Sequence, residues 1–198
     1  MSETPTPKPA PEKPSQKIQV SWGPIAESLK ERFSLFPQPK VAGEMEAFLL
    51  QEQSQLIDLM RCLRDEKGFS VLLLLNAVEY KECLQVIYQL QSVEPYSMLF
   101  VKVNLPKENS CIQSVTQLWG SADWFEREIW DMQGIVFDGH PNLKRILNPD
   151  NWEGFPLRKN YIPPIDALNG PITAVKDAKE KLAYSTRQDV EVILEPNL

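Results

Sequence analysis

Alternation of apolar and polar residues marks the middle of the chain. In CLQVIYQLQ, Leu84, Val86, Tyr88 and Leu90 fall on one side of an extended strand, while Gln85, Gln89 and Gln91 fall on the other. YSMLFVKVNL repeats the period, with Leu99, Val101, Val103 and Leu105 inward. SVLLLLNAVEY is continuously apolar at its start, which predicts a strand covered on both faces. MEAFLL reads as a further strand. Two segments switch to a helical period. Pro24 suits a first helical turn, Ile25, Leu29 and Phe33 form one stripe, and Pro37 and Pro39 end it. QSQLIDLMRCLRDEKG puts Leu56, Met60 and Leu63 on one face, with Gly68 just past the end. A helix, a strand, a helix and three strands predict an α+β fold: a two-layer domain with a mixed or antiparallel sheet and helices on one face.

After Pro106 the pattern changes. Asp123 is placed as an N-cap, and Glu126 follows three residues later, as in a capping box. The helix so begun should run to about Met132, with Phe125, Ile129 and Met132 as its stripe and Gly134 terminating it. Arg127 and Asp131 are four apart and suited to pair on its surface. From Pro141 onward periodicity fades and prolines accumulate at 149, 156, 163, 164 and 171. An irregular extended arm of that length is expected to lie on a partner. At the other end, residues 1–17 carry five prolines among Ser, Thr, Lys and Glu and read as an extended tail. The expected organisation is a proline-rich disordered tail over 1–17, an α+β domain over 18–147, and an extended C-terminal arm over 148–198.

Composition narrows the function. A net charge of −6 and a pI near 5.0 argue against a nucleic-acid binder working by a general basic surface. Cys62, Cys83 and Cys111 form no CxxC pair and no disulfide framework, fit a reducing compartment, and read as small buried hydrophobes. No run approaches the roughly 18 apolar residues of a membrane span, and the N-terminus has no apolar signal core, so a cytoplasmic protein is expected, with membrane contact only through partners.

The segment WFEREIWDMQGIVFDGHPNLKRIL concentrates the remaining chemistry, including the only histidine, His140. Glu126 or Glu128 as general base with His140 assisting would be adequate equipment for acid–base work. Yet Glu126 and Glu128 are two apart on a helix and point in different directions, and no nucleophile motif, phosphate loop or dinucleotide fingerprint accompanies them. One histidine with scattered carboxylates is also a poor transition-metal site. Trp119, Trp124, Trp130 and Trp152 beside arginines suit an interface centre better. The residues alone favour a binding module over an enzyme.

The run SVTQLWGSADWFEREIWDMQGIVFDGHPNLKRILNPDNWEGFPLRKNY resembles the signature region of the 30-kilodalton subunit family of respiratory complex I, the proton-pumping NADH:quinone oxidoreductase. In bacteria this is the C subunit, and in cyanobacteria and chloroplasts the J subunit. The shared elements are Trp119-Gly120, Glu126-Arg127-Glu128, Asp131 and Gly134, Phe137, Gly139-His140-Pro141, Leu143, Arg145-Ile146-Leu147, Pro156-Leu157-Arg158-Lys159 and Tyr161. Departures are Trp130 for a usual tyrosine, Gln133 for an aromatic, Phe155 for a frequent histidine, Asn160 for an aspartate, and Glu79-Tyr80 for Asp-Tyr. The resemblance implies a peripheral-arm subunit without a redox centre or catalytic site of its own. FMN, iron–sulfur clusters and quinone would sit on partner subunits. Those partners would be the quinone-site (49-kDa-like) subunit, the terminal-cluster subunit and other peripheral-arm chains, on the cytoplasmic side of the energy-transducing membrane. Glu126, Glu128 and Asp131 would hold the helix to basic groups, Gly134 and Gly139 would permit turns, His140-Pro141 would set the loop, and Arg145, Arg158 and Lys159 would reach partner carboxylates. The same module serves relatives fed by ferredoxin, coenzyme F420 or hydrogen. A free-standing acid–base enzyme is the alternative of a different class.

Overall fold

The computed structural model describes residues 23–39 and 45–162. The expected tail over 1–17 and the arm beyond 162 lie outside the described residues. The elements are α1 (Pro24–Leu29), β1 (Leu35–Pro37), β2 (Glu46–Leu50), α2 (Leu56–Asp65), β3 (Val71–Glu79), β4 (Leu84–Ser92), β5 (Ser97–Leu105), β6 (Cys111–Gln113), α3 (Ala122–Gln133) and β7 (Val136–Asp138). Five strands form one mixed sheet in the order β1-β2-β5-β4-β3. Three of its pairings are antiparallel, and β2 runs parallel to β5, with Phe48 opposite Val101. Strands β6 and β7 form a separate parallel pair. This is the α+β class expected from the periodicities.

Period-2 burial holds where it was read. Leu84, Val86, Tyr88 and Leu90 of β4 and Leu99, Val101, Val103 and Leu105 of β5 are buried, and they meet Leu56, Leu59, Met60 and Leu63 of α2 in one core. Helix α2 ends as expected: Gly68 takes φ +78°, and the Phe69 amide returns to the Leu63 carbonyl at 3.0 Å.

Three expectations fail. Strand β3 is not covered on both faces. It lies at the sheet edge, with Leu72, Leu75 and Ala77 inward and Val71, Leu73, Leu74 and Val78 exposed. A bulge between Leu72 and Leu74 turns both Leu73 and Leu74 outward. The first helix stops at Leu29. Phe33 is buried, but from the turn that leads into β1. The cysteines differ from one another: Cys62 is buried, Cys83 half-buried and Cys111 exposed. Burial also pushes the Cys62 thiol up. Maleimide should therefore label native Cys111 first, Cys83 more slowly and Cys62 only on unfolding. Early labelling of Cys62 would contradict the packing of α2 against Phe33 and the sheet.

Candidate functional site

Helix α3 carries the signature. It begins at Ala122 with Ser121 in the cap position and no side-chain cap, so Asp123 is not the N-cap and Glu126 closes no capping box. Its end matches expectation. Gly134 adopts φ +72° and its N–H reaches the Trp130 carbonyl at 2.8 Å. Five positions of a helix turn through roughly 140°, so Glu126 and Asp131 face different neighbours.

Glu126 points into the core and is fully buried. Its Oε1 accepts the Val115 N–H at 2.8 Å, and its Oε2 has no partner. Burial pushes its pKa up to about 7 against the opposing pull of the nearby Ser114 hydroxyl and the Val115 amide. Two turns further along the same face, Gln133 donates Nε2 to the Ala77 carbonyl on the free edge of β3 at 2.7 Å. That bond satisfies an edge acceptor and fixes α3 along the strand.

Asp131 faces the other way, into the arm. It is fully buried and does not pair with Arg127. Its Oδ1 accepts Arg145 Nη1 at 2.6 Å and Asn148 Nδ2 at 2.9 Å. Its Oδ2 accepts the amides of Ile146 at 3.1 Å, Leu147 at 2.8 Å and Asn148 at 2.8 Å. Burial opposes ionisation here, but these donors, led by those of Asn148, outweigh it and hold the carboxyl well below the usual carboxylate range. Arg145 also donates Nη2 to the Trp152 carbonyl at 2.8 Å, and its guanidinium lies over the rings of Trp130 and Phe155, 5.6 and 5.8 Å from their centroids. Arg127 donates to the carbonyls of Lys144 and Arg145, both at 3.2 Å, and stacks on Trp124. Asn148 is the one member of this knot that the sequence reading missed. Its place directly after Arg145-Ile146-Leu147 was the available signal.

The arm is pinned again further on. Arg158 donates Nε to the Gln133 carbonyl and Nη1 to that of Lys107 at 3.2 Å. Leu157 N–H reaches the Met132 carbonyl at 2.9 Å. Glu79 Oε2 accepts the Lys159 amide at 2.7 Å while its Oε1 pairs with Lys107 at 2.9 Å, and the Lys159 bond leads in drawing its pKa down. Arg145 and Arg158 are thus both engaged by groups of this same chain. Glu128, Pro141 and Lys159 are exposed.

His140 has a fully buried ring. Its Nδ1 accepts the Asn142 amide at 3.0 Å, which leaves Nε2 to donate to the Asp123 carbonyl at 3.2 Å and face its Oδ1 at 3.3 Å. It ties the loop that Gly139, at φ +79°, opens to the start of α3. No hydrogen bond joins Glu126, Glu128 and His140, and each has different neighbours. Among the described residues no group of three or more His, Cys, Asp or Glu could hold a metal ion, and no helix is long and apolar enough to cross a membrane.

The site's segment matches together with α2 and strands β3, β4 and β5 before it. Residues 49–166 fit the family model described as respiratory-chain NADH dehydrogenase, 30 Kd subunit. The chain belongs to this family. It is 41% identical over 148 residues to the C subunit of NADH-quinone oxidoreductase from Citrifermentans bemidjiense, covering 72% of this chain and 88% of that protein. In Psychrobacter cryohalolentis the similar protein is the C/D subunit of the same oxidoreductase. It is 55% identical over 76 residues, 38% of this chain but 13% of that longer one. A solved trypsin-resistant fragment (1-134) of Nqo5 superposes with a TM-score of 0.54 at 27% identity, covering 60% of this chain and 96% of the fragment. As a member of the 30-kilodalton family, this chain is a subunit of complex I, the NADH-quinone oxidoreductase of the respiratory chain, and its partners are other subunits of that complex.

Proposed function

We propose that this chain serves complex I as a docking subunit with no redox centre and no catalytic site of its own. It braces the quinone-site (49-kDa-like) subunit and the terminal-cluster subunit on the cytoplasmic side of the membrane. One observation carries this reading: Arg127, Asp131, Arg145 and Arg158 of the signature are spent on fixing residues 144–158 against α3 and the loop at Lys107, and converge on no shared reaction centre. The product of such chemistry is a shape. The arm so fixed presents Leu147, Leu157 and Ile162 to solvent, and α3 presents Trp124. Exposed apolar side chains on a rigid support suit coverage by a partner. The C/D relative, in which a matching stretch forms a small part of a longer chain, favours direct apposition to the rest of such a chain. FMN, the iron–sulfur clusters and quinone are then the partners' groups.

The test is mild-detergent purification through a tag on this chain, with iron content and quinone reduction measured on the product. Co-purifying iron and NADH-dependent quinone reduction are expected, and ferredoxin, F420 and hydrogen are offered as rival donors. A lone iron-free protein, or turnover by the isolated chain, would overturn the docking role. Arg158→Ala removes the clamp between α3, the loop at Lys107 and the arm. It should lower assembled complex several-fold at a loss of about 1.5–3 kcal/mol, the usual worth of hydrogen bonds from a charged group. Normal assembly in that variant would show that the arm needs no such clamp.

A further inference from the structure

Beneath α3 the mainly apolar packing encloses a few polar groups. Glu126 Oε2 and the Tyr88 hydroxyl are both fully buried, and neither has a hydrogen-bond partner. Gln133 Oε1, seven positions on along the same helix, is a third orphan. A buried polar atom without a partner is costly, and a buried charge far more so.

The groups that face Glu126 are these. Strand β4 contributes Tyr88, whose own ionisation burial suppresses first and the Glu126 charge second. The segment after β6 contributes the Val115 N–H and Ser114, whose hydroxyl is shared with Thr116 at 2.7 Å. Helix α3 contributes Asp123, a like charge, with His140 beyond it and bonded to it. None of the groups just named is a lysine or arginine. The arginines of the signature are engaged elsewhere, Arg127 on carbonyls, Arg145 on Asp131 and Arg158 on carbonyls.

We propose that Glu126 is a protonation-controlled latch: its neutral carboxyl lets α3 seat fully on the sheet, and its ionisation loosens the helix and the arm that the helix carries. A neutral carboxyl keeps the Val115 bond and needs no counter-ion. The carboxylate has the Val115 amide, a Ser114 hydroxyl already shared with Thr116, an adjacent aspartate and one oxygen without a partner, so it draws water or moves outward. Both routes lift the N-terminal half of α3. Arg127, the residue after Glu126, holds the carbonyls of Lys144 and Arg145, so the order of that loop follows.

The direction with pH follows from the raised value in the seated helix. A carboxyl that titrates near 4.5 when exposed and near 7 when seated favours seating fully below 4.5 and loses that contribution as pH rises to 7. Amide exchange in α3 of the full chain, corrected for its intrinsic base catalysis, should report an opening constant that rises up to about tenfold per pH unit across that window, then levels off. Glu126→Gln, neutral and of the same shape, should abolish the slope. His140→Gln should keep it, which separates the latch from imidazole titration beside Asp123. A slope retained in Glu126→Gln, or lost in His140→Gln, would overturn the proposal. Should Glu126→Gln fail to fold, the unaltered chain decides by itself. The infrared band of a buried neutral carboxyl must then fade with a midpoint near 7, and persistence of that band to high pH would overturn the proposal equally.

Discussion

Replacing Asp131 by alanine is expected to cost about 3–5 kcal/mol, the range for truncating one partner of a buried, hydrogen-bonded ion pair. The melting temperature should fall by roughly 10 °C or more for a domain of this size. The change removes the acceptor of five donors at once: Arg145, the Asn148 side chain and three consecutive amides. Arg145, with a side chain only 12% exposed, is left beside Trp130 and Phe155 without a counter-ion. The partners of Asp131 all lie in the arm, so the loss should be local first. Limited proteolysis should cut between 140 and 162 while the β3–β4–β5 region survives. Asp131→Asn should be milder, since an amide still accepts from part of the set. An arm as resistant in Asp131→Ala as in the unaltered chain would refute the assigned role. The pH behaviour is opposite to that of Glu126. A carboxyl held below its ordinary value of 3.8 contributes fully above that pH and is lost only as pH falls beneath it. Two acids on one helix thus bracket its working range, Asp131 from the acid side and Glu126 from the neutral side.

Both acids were visible as letters in the sequence, but not as opposites. ERE and the aspartate that follows identify the family because their order is specific, and the family identified the complex. Their partners are tertiary. Asp131 binds a loop 14 to 17 residues on, and Glu126 binds an amide 11 residues back. Local rules offered nearer partners, a capping box for Glu126 and an i,i+4 pair for Asp131 with Arg127, and both were wrong. A capping box and a buried glutamate share the same spacing, so the pattern could not separate them. Strands β4 and β5 were legible because one face is apolar and the other carries polar residues, which fixes register by itself. Strand β3 was misread because an unbroken apolar run fits a doubly covered strand as well as an edge strand with an open face. The short β1, β6 and β7 carry three residues each, too few for any period to show. The family resemblance implied that Arg145 and Arg158 would reach partner carboxylates. Nothing in the local sequence announced that backbone carbonyls of the same chain would take them.

Gly134→Ala should be the second most damaging single change, at roughly 3 kcal/mol from two separable sources. The left-handed conformation at φ +72° costs a residue with a β-carbon about 1–2 kcal/mol. A β-carbon there would also lie 2.4 Å from the Phe155 ring, well inside contact distance. Phe155 is not free to swing away. Arg145 lies over its ring, and the Leu157 amide, two residues on, is bonded to the Met132 carbonyl. The methyl therefore pushes the arm off the end of α3, and with it the guanidinium that neutralises Asp131. Gly139 provides the control. It has nearly the same backbone angle, φ +79°, but a methyl added there would meet no atom within 4 Å. Gly139→Ala should show the backbone part alone, about 1–2 kcal/mol, with the arm still resistant to protease. Equal losses in the two variants would mean that Phe155 exerts no pressure on the helix end. A larger loss at Gly134, together with weakened assembly, would show that the ring, the guanidinium and the buried aspartate act as one unit, with the helix terminus as its fixed point.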